Sequence, residues 1–248
     1  MTLTYIREGA FENTLNAVED KDVILLFEGH WHGWCPHPQG VIIRQEKSFL
    51  LNGTEFLFNG IWNTWYPHPE GVVIACEDKL LLNGTTLLFE GDWDDWRPHP
   101  HGVVVRQDDR FLLNGISLLF EGEWDEWCSH PQGVIIRQYN RFLFSHKNLL
   151  DRTGLLYEGE WDSWRSHPQG VVVRQGNRFL LNGINSLYEG EFESWRSHPQ
   201  GIIIRQGNRF LLNGTDQIYE GAWSFWYSHP QGMAIRQANK FLLVVHKP

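Results

Sequence analysis

The sequence predicts an all-β fold, a seven-bladed β-propeller built from 31-residue repeats. Three observations carry that reading: a recurring motif, strand and turn chemistry inside each copy, and termini that complete one copy between them. The segment Trp-x-x-Trp-x-x-His-Pro-x-Gly-(Val/Ile)-(Val/Ile)-(Val/Ile)-Arg-Gln occurs in seven near-copies between Trp31 and Gln237. The glycine before each first aromatic falls at Gly29, Gly60, Gly91, Gly122, Gly159, Gly190 and Gly221, so the period is 31 residues with one interval of 37. A fixed period of this length marks a repeat architecture in which no unit buries its core alone.

The elements of one repeat follow in order. Val171-Val172-Val173-Arg174-Gln175, a break at Gly176-Asn177, and Arg178-Phe179-Leu180-Leu181 read as two strands of a hairpin. Asn-Gly follows in five repeats, at Asn52, Asn83, Asn114, Asn182 and Asn213, and leads to a third apolar run such as Leu87-Leu88-Phe89-Glu90. These runs lack strict alternation, which suits strands covered on both faces. Three antiparallel strands end on the side opposite their start, so equivalent repeats need a return element. Gly-x-Trp-x-x-Trp is the segment left for it, as a short fourth strand or extended return. The His-Pro-x-Gly that follows fits a β-turn, with proline pushing the preceding histidine toward extended backbone.

The ends supply the closure. The Val/Ile-rich strand and the Phe-Leu-Leu strand each occur seven times, but the last repeat stops at Val245 before its third run, while Val23-Ile24-Leu25-Leu26-Phe27-Glu28 precedes the first tryptophan. Pairing the two in one sheet removes the open edges of the array. An open solenoid would need a polar cap that the C-terminus lacks. The whole of 1–248 is thus expected to be one domain. Residues 1–22 contain an echo of the repeat, Tyr5 to Phe11, that reads as a degenerate strand. The six-residue insertion lies between Phe144 and Gly154, and a loop that breaks the symmetry is a candidate for function.

Composition narrows the function classes. A net charge of −9 and no clustered Lys/Arg argue against a nucleic-acid or anionic-membrane partner. No run approaches a membrane span, and MTLTYIREGAFENTLNAVED has no basic segment followed by an apolar one, so no signal peptide and a cytoplasmic location are expected. Cys35, Cys76 and Cys128 do not form a disulfide framework and read as free thiols.

Three repeated features are candidates for a role. All thirteen tryptophans lie in the Gly-x-Trp-x-x-Trp segment. The second of each pair (Trp34, Trp65, Trp96, Trp127, Trp164, Trp195, Trp226) and the histidine three residues on (His37, His68, His99, His130, His167, His198, His229) would make one aromatic-plus-polar ligand contact per repeat. The competing reading is inter-blade packing for the tryptophan and a turn-stabilising ring hydrogen bond for the histidine. Six repeats also carry Glu before the glycine (Glu28, Glu90, Glu121, Glu158, Glu189, Glu220) and Arg sixteen residues later (Arg44, Arg106, Arg137, Arg174, Arg205, Arg236), and the second repeat loses both, at Asn59 and Ala75. That joint loss suggests a structural ion pair. The acidic groups Asp92/Asp94/Asp95 and Glu123/Asp125/Glu126 read as a solvated rim; no metal site or cofactor is expected.

Multiple near-copies of one pocket fit a multivalent carbohydrate-binding, lectin-like protein that gains avidity on a repeated ligand. Two alternatives stand beside it. One is a scaffold that presents a face to another protein, and the other an enzyme with a single asymmetric site near the second repeat (Asn59, Asn63, Glu70, Cys76) or the His146 insertion. Neither the Trp-Asp ending of the common propeller repeat nor a kelch pattern is present.

Overall fold

The computed structural model describes residues 23–146 and 153–246. Among these residues twenty-eight strands form seven four-stranded antiparallel sheets, and the fold is the all-β seven-bladed β-propeller that the repeats predict. The readings for residues 1–22 and for most of the insertion lie outside the described residues. The chain divides into two compact units, Met1–Phe56 with Tyr188–Pro248, and Leu57–Leu187.

One sheet shows the plan. The inner strand Asp95–His99 pairs with a second strand, Gly102–Gln107, then a third, Arg110–Leu113, then an outer one, Ser117–Glu121. The return element is therefore a true strand. Its five residues run from the second tryptophan's neighbour to the histidine, and the first tryptophan stays in the loop before it. The second strand is apolar at successive positions because both of its faces are covered: Val103, Val104 and Val105 are all fully buried.

The core lies between consecutive sheets. Each third strand contributes a large side chain, and Phe49, Phe111, Phe142, Phe179, Phe210 and Phe241 are fully buried, with Leu80 in the second repeat. At four of these positions two tryptophans of the next sheet clamp the ring. Phe111 meets Trp124 edge-on with centroids 5.7 Å apart and Trp127 at 5.0 Å; Phe142 meets Trp161 at 5.5 Å and Trp164 at 4.9 Å. The same clamp recurs at Phe210 with Trp223 and Trp226, and at Phe241 with Trp31 and Trp34. Edge-to-face pairs of this kind add about 0.5–1.5 kcal/mol each beyond the area they bury. The tryptophan pair is thus first of all the adhesive between sheets.

Turn chemistry sets the register. In the Leu51-Asn52-Gly53-Thr54 turn, Asn52 (φ 51°) and Gly53 (φ 70°) are both left-handed, and the Thr54 N–H donates to the Leu51 carbonyl, as the Asn-Gly signal predicts. The asparagine does more than turn the chain. Asn52 Oδ1 accepts the Val41 N–H and its Nδ2 donates to the Gln39 carbonyl, which pins the Asn-Gly turn to the His-Pro turn beside it. Asn83, Asn114, Asn182 and Asn213 repeat the pattern. Only glycine fits opposite: a Cβ on Gly40 (φ 140°) would sit 2.0 Å from Asn52 Oδ1.

The closing sheet is in the order Val23–Glu28, Lys240–Val245, Gly232–Gln237, Phe225–His229, with Ile24 opposite Leu243 and Leu25 opposite Leu242. First and last strands complete one sheet, as the strand count requires.

Candidate functional site: tryptophan-walled clefts between adjacent sheets

The histidines belong to the interior. All seven are at most 3% exposed, and each Nδ1 accepts the backbone N–H two residues on, from Gln39, Glu70, His101, Gln132, Gln169, Gln200 and Gln231. An accepting Nδ1 leaves the proton on Nε2. That proton is donated to the carbonyl of the next repeat's histidine by His68, to His99 at 2.8 Å, and by His229, to His37 at 2.9 Å. The ring there joins a turn to the neighbouring sheet. Burial pulls His68, His130 and His229 below the ordinary histidine value and takes His99 down to about 4, so all four are neutral at pH 7.

The second tryptophans are interior in four repeats. Trp96, Trp127, Trp195 and Trp226 are buried and Trp34, Trp65 and Trp164 half-buried. Of the residues expected to contact a ligand, His37 to His229 are sealed from solvent with Nδ1 committed to a turn, while Trp34, Trp65 and Trp164 keep part of the ring at the surface. Their geometry is that of the turn-stabilising and packing readings.

The residues of the expected ion pair have other partners in the structure. Glu90 and Arg106 lie on different sheets, as do the other Glu/Arg positions, and the ion pairs given below for these residues run to other partners. The glutamate faces a cation across the outer ladder: Glu90 with Lys79 at 3.3 Å, Glu158 with Arg141 at 3.0 Å, Glu28 with Lys240 at 3.5 Å. The arginine turns to the acid of the tryptophan loop: Arg106 to Asp94 at 3.1 Å, Arg137 to Asp125 at 3.5 Å, Arg174 to Asp162 at 3.7 Å, and Arg205 to Glu193. In the last repeat Arg236 donates to Ser224 Oγ at 3.0 Å. Four of these guanidinium groups lie over the next repeat's first tryptophan: Arg106 over Trp124 at 5.0 Å, Arg137 over Trp161 at 5.5 Å, Arg205 over Trp223 at 4.9 Å, Arg236 over Trp31 at 5.1 Å. The joint loss in the second repeat is two separate losses, Asn63 with Ala75 and Ser48 with Asn59.

The rim acids consequently have structural work. Asp94, Asp125, Asp162 and Glu193 also accept the N–H of the hairpin residue after Gln, namely Asp108, Tyr139, Gly176 and Gly207. Asn63 takes the same bond from Glu77 in the second repeat, so the departure there is a substitution inside this cap.

The first tryptophans also reach solvent. Trp31, Trp62, Trp93, Trp124, Trp161 and Trp223 are all half-buried. A cleft of about 500 Å³ is lined by Tyr139, Asn140, Gly159, Glu160, Trp161, Asp162, Gln175 and Gly176. An equivalent cleft of about 420 Å³ one repeat earlier is lined by Asp109, Glu123, Trp124, Asp125, Gln138 and Tyr139, with Gly122. The loop wall of each is held by the glutamine that ends the second strand: Gln175 Nε2 donates to the Glu160 carbonyl and Gln138 to that of Glu123. Sequence reasoning missed Tyr139. Its signal is that it is the one aromatic at a position held elsewhere by Glu46, Glu77, Asp108, Gly176, Gly207 and Ala238.

Cys35, Cys76 and Cys128 are free, and burial pushes the Cys128 thiol up to about 12 and Cys35 higher still.

No family model matches the sequence, and no curated protein does. Among solved structures the chain is similar to KlHsv2 with loop 6CD replaced by a Gly-Ser linker, at 10% identity and a TM-score of 0.43 over 88% of this chain and 90% of that one. It is similar also to the computationally designed Ika8 protein, at 12% identity and a TM-score of 0.44 over 90% of this chain and 84% of that one.

Proposed function

We propose that the protein is a multivalent carbohydrate-binding module whose contact residues are the first tryptophans of the repeats. The observation that carries this is the recurrence of one cleft in consecutive repeats, each with a half-buried indole as a wall and carboxylates, a carboxamide and backbone groups beside it. An apolar ring face stacks on the C–H face of a sugar, and fixed acceptors and donors at its margin orient the hydroxyls. Clefts of this size lie within the range of small-ligand sites. Weak equivalent sites gain avidity on a repeating glycan, which gives the near-identity of the copies a use beyond folding.

The protein-scaffold reading draws on exposed apolar side chains at the other end of the repeat, Ile116 and Ile184 beside Asn-Gly turns.

A glycan array followed by tryptophan-fluorescence titration separates the two. Several equivalent sites per chain are expected, and Trp161→Phe should weaken one of them at least fivefold while the fold persists, because Phe192 already occupies that position in the sixth repeat. A single site, or no response to any glycan, contradicts the reading.

A further inference from the structure

The two clefts share a wall. Tyr139 lines both, is 76% exposed, and packs on no other ring among the described residues. Its backbone is left-handed (φ 52°), a conformation costly for a bulky side chain, where the fifth and sixth repeats place Gly176 and Gly207. The Tyr139 N–H is held by Asp125, so the ring stands on a fixed stem between Trp124 and Trp161.

The charge of the lining is one-sided. Neither cleft is lined by a lysine or arginine, while Asp109, Glu123, Asp125, Glu160 and Asp162 are present. Arg137 offsets Asp125 and Arg174 offsets Asp162. Asp109, Glu123 and Glu160 are exposed and form no ion pair among the described residues. Arg106 already lies over Trp124 and Arg137 over Trp161, so it is the Tyr139 ring and the three carboxylates without an ion pair that favour a cation over a neutral or anionic group.

Building on the glycan reading above, we propose that the paired clefts on either side of Tyr139 form one extended subsite for a cationic oligosaccharide, an amino-sugar oligomer with free protonated amines. One sugar unit lies against Trp124 and another against Trp161, the chain crosses the Tyr139 ring, and the amines face Glu123, Glu160 and Asp109. A neutral sugar unit would use the aromatic walls and leave the carboxylates unanswered.

The test is calorimetry at pH 6.5 with glucosamine oligomers of one to four units, their fully N-acetylated counterparts, and a lysine-rich peptide of equal charge. Affinity should rise at least tenfold between one and three units, fall with added salt, and drop at least tenfold on N-acetylation. Tyr139→Gly, which relieves the left-handed backbone and so keeps the fold, should abolish the gain with length. A thermal midpoint no lower than the parent's confirms the variant is folded. Equal affinity for the N-acetylated series, no dependence on length, an unchanged Tyr139→Gly, or equally tight Tyr139-dependent binding of the peptide would each overturn the proposal. Binding of other glycans with no response to the amino-sugar series removes this inference alone; failure of every glycan removes the multivalent reading with it.

Discussion

At the scale of the residue, histidine is the most heavily committed side chain, and its protonation state decides stability. His68, His99, His130 and His229 are held neutral by burial, so their folded values lie below that of the unfolded chain near 6.5. The unfolded chain therefore binds more protons as pH falls through 6.5, and stability drops from there toward pH 4. Each such group costs about 1.4 kcal/mol per pH unit once the unfolded form is protonated. Urea midpoints measured at pH 7.5 and 5.5 should differ steeply, with the lower pH less stable; a flat profile between them would contradict the ring geometry. The arginine network gives a second check. Arg106 and Asp94, at 3.1 Å, should show a coupling of about 0.5–1 kcal/mol in a double-mutant cycle, whereas Arg106 and Glu90 should simply add.

At the scale of the element, the turn pair is the determinant of sheet geometry. Asn114 supplies two hydrogen bonds to the His-Pro turn, from the Val103 N–H and to the His101 carbonyl, so Asn114→Ala should cost about 1–3 kcal/mol. Gly102→Ala should cost at least as much, since its Cβ would meet Asn114 Oδ1 at 2.0 Å with φ at 129°. Ala238, left-handed at φ 51° where the two preceding repeats have glycine, predicts the reverse: Ala238→Gly should raise stability by roughly 0.5–1 kcal/mol, read from the urea midpoint.

Strands and turns were legible because their determinants are local: β-branched runs, Asn-Gly, His-Pro-x-Gly. The division of labour between the two tryptophans was not. It depends on where the return strand begins, and the strand of Thr64–His68 or Glu126–His130 takes in only the second indole. The ion-pair reading met a similar limit: spacing by sixteen residues says nothing of which sheet each partner occupies. Asn63 and Ser48 carried the correct signal, each changed together with the residue it serves.

At the scale of the whole molecule, the sheets are joined by aromatic clamps, and loss of one ring should be felt by two blades. Phe111→Ala removes a fully buried side chain and both of its indole neighbours' packing partner, so a loss of about 3–5 kcal/mol is expected, with a cooperative transition retained. The first strand has no sequence neighbour in its sheet, and five register pairs with Lys240–Val245, the Glu28–Lys240 ion pair and the packing of Ile24 and Leu26 place it there. Hydrogen exchange of the Val23–Glu28 amides is the most direct test of that placement. Amides bonded to the last strand are expected to exchange only with global unfolding, at the rate of the Gly232–Gln237 strand; exchange at the rate of an exposed tail, while the other sheets stay protected, would contradict a ring closed by its two ends.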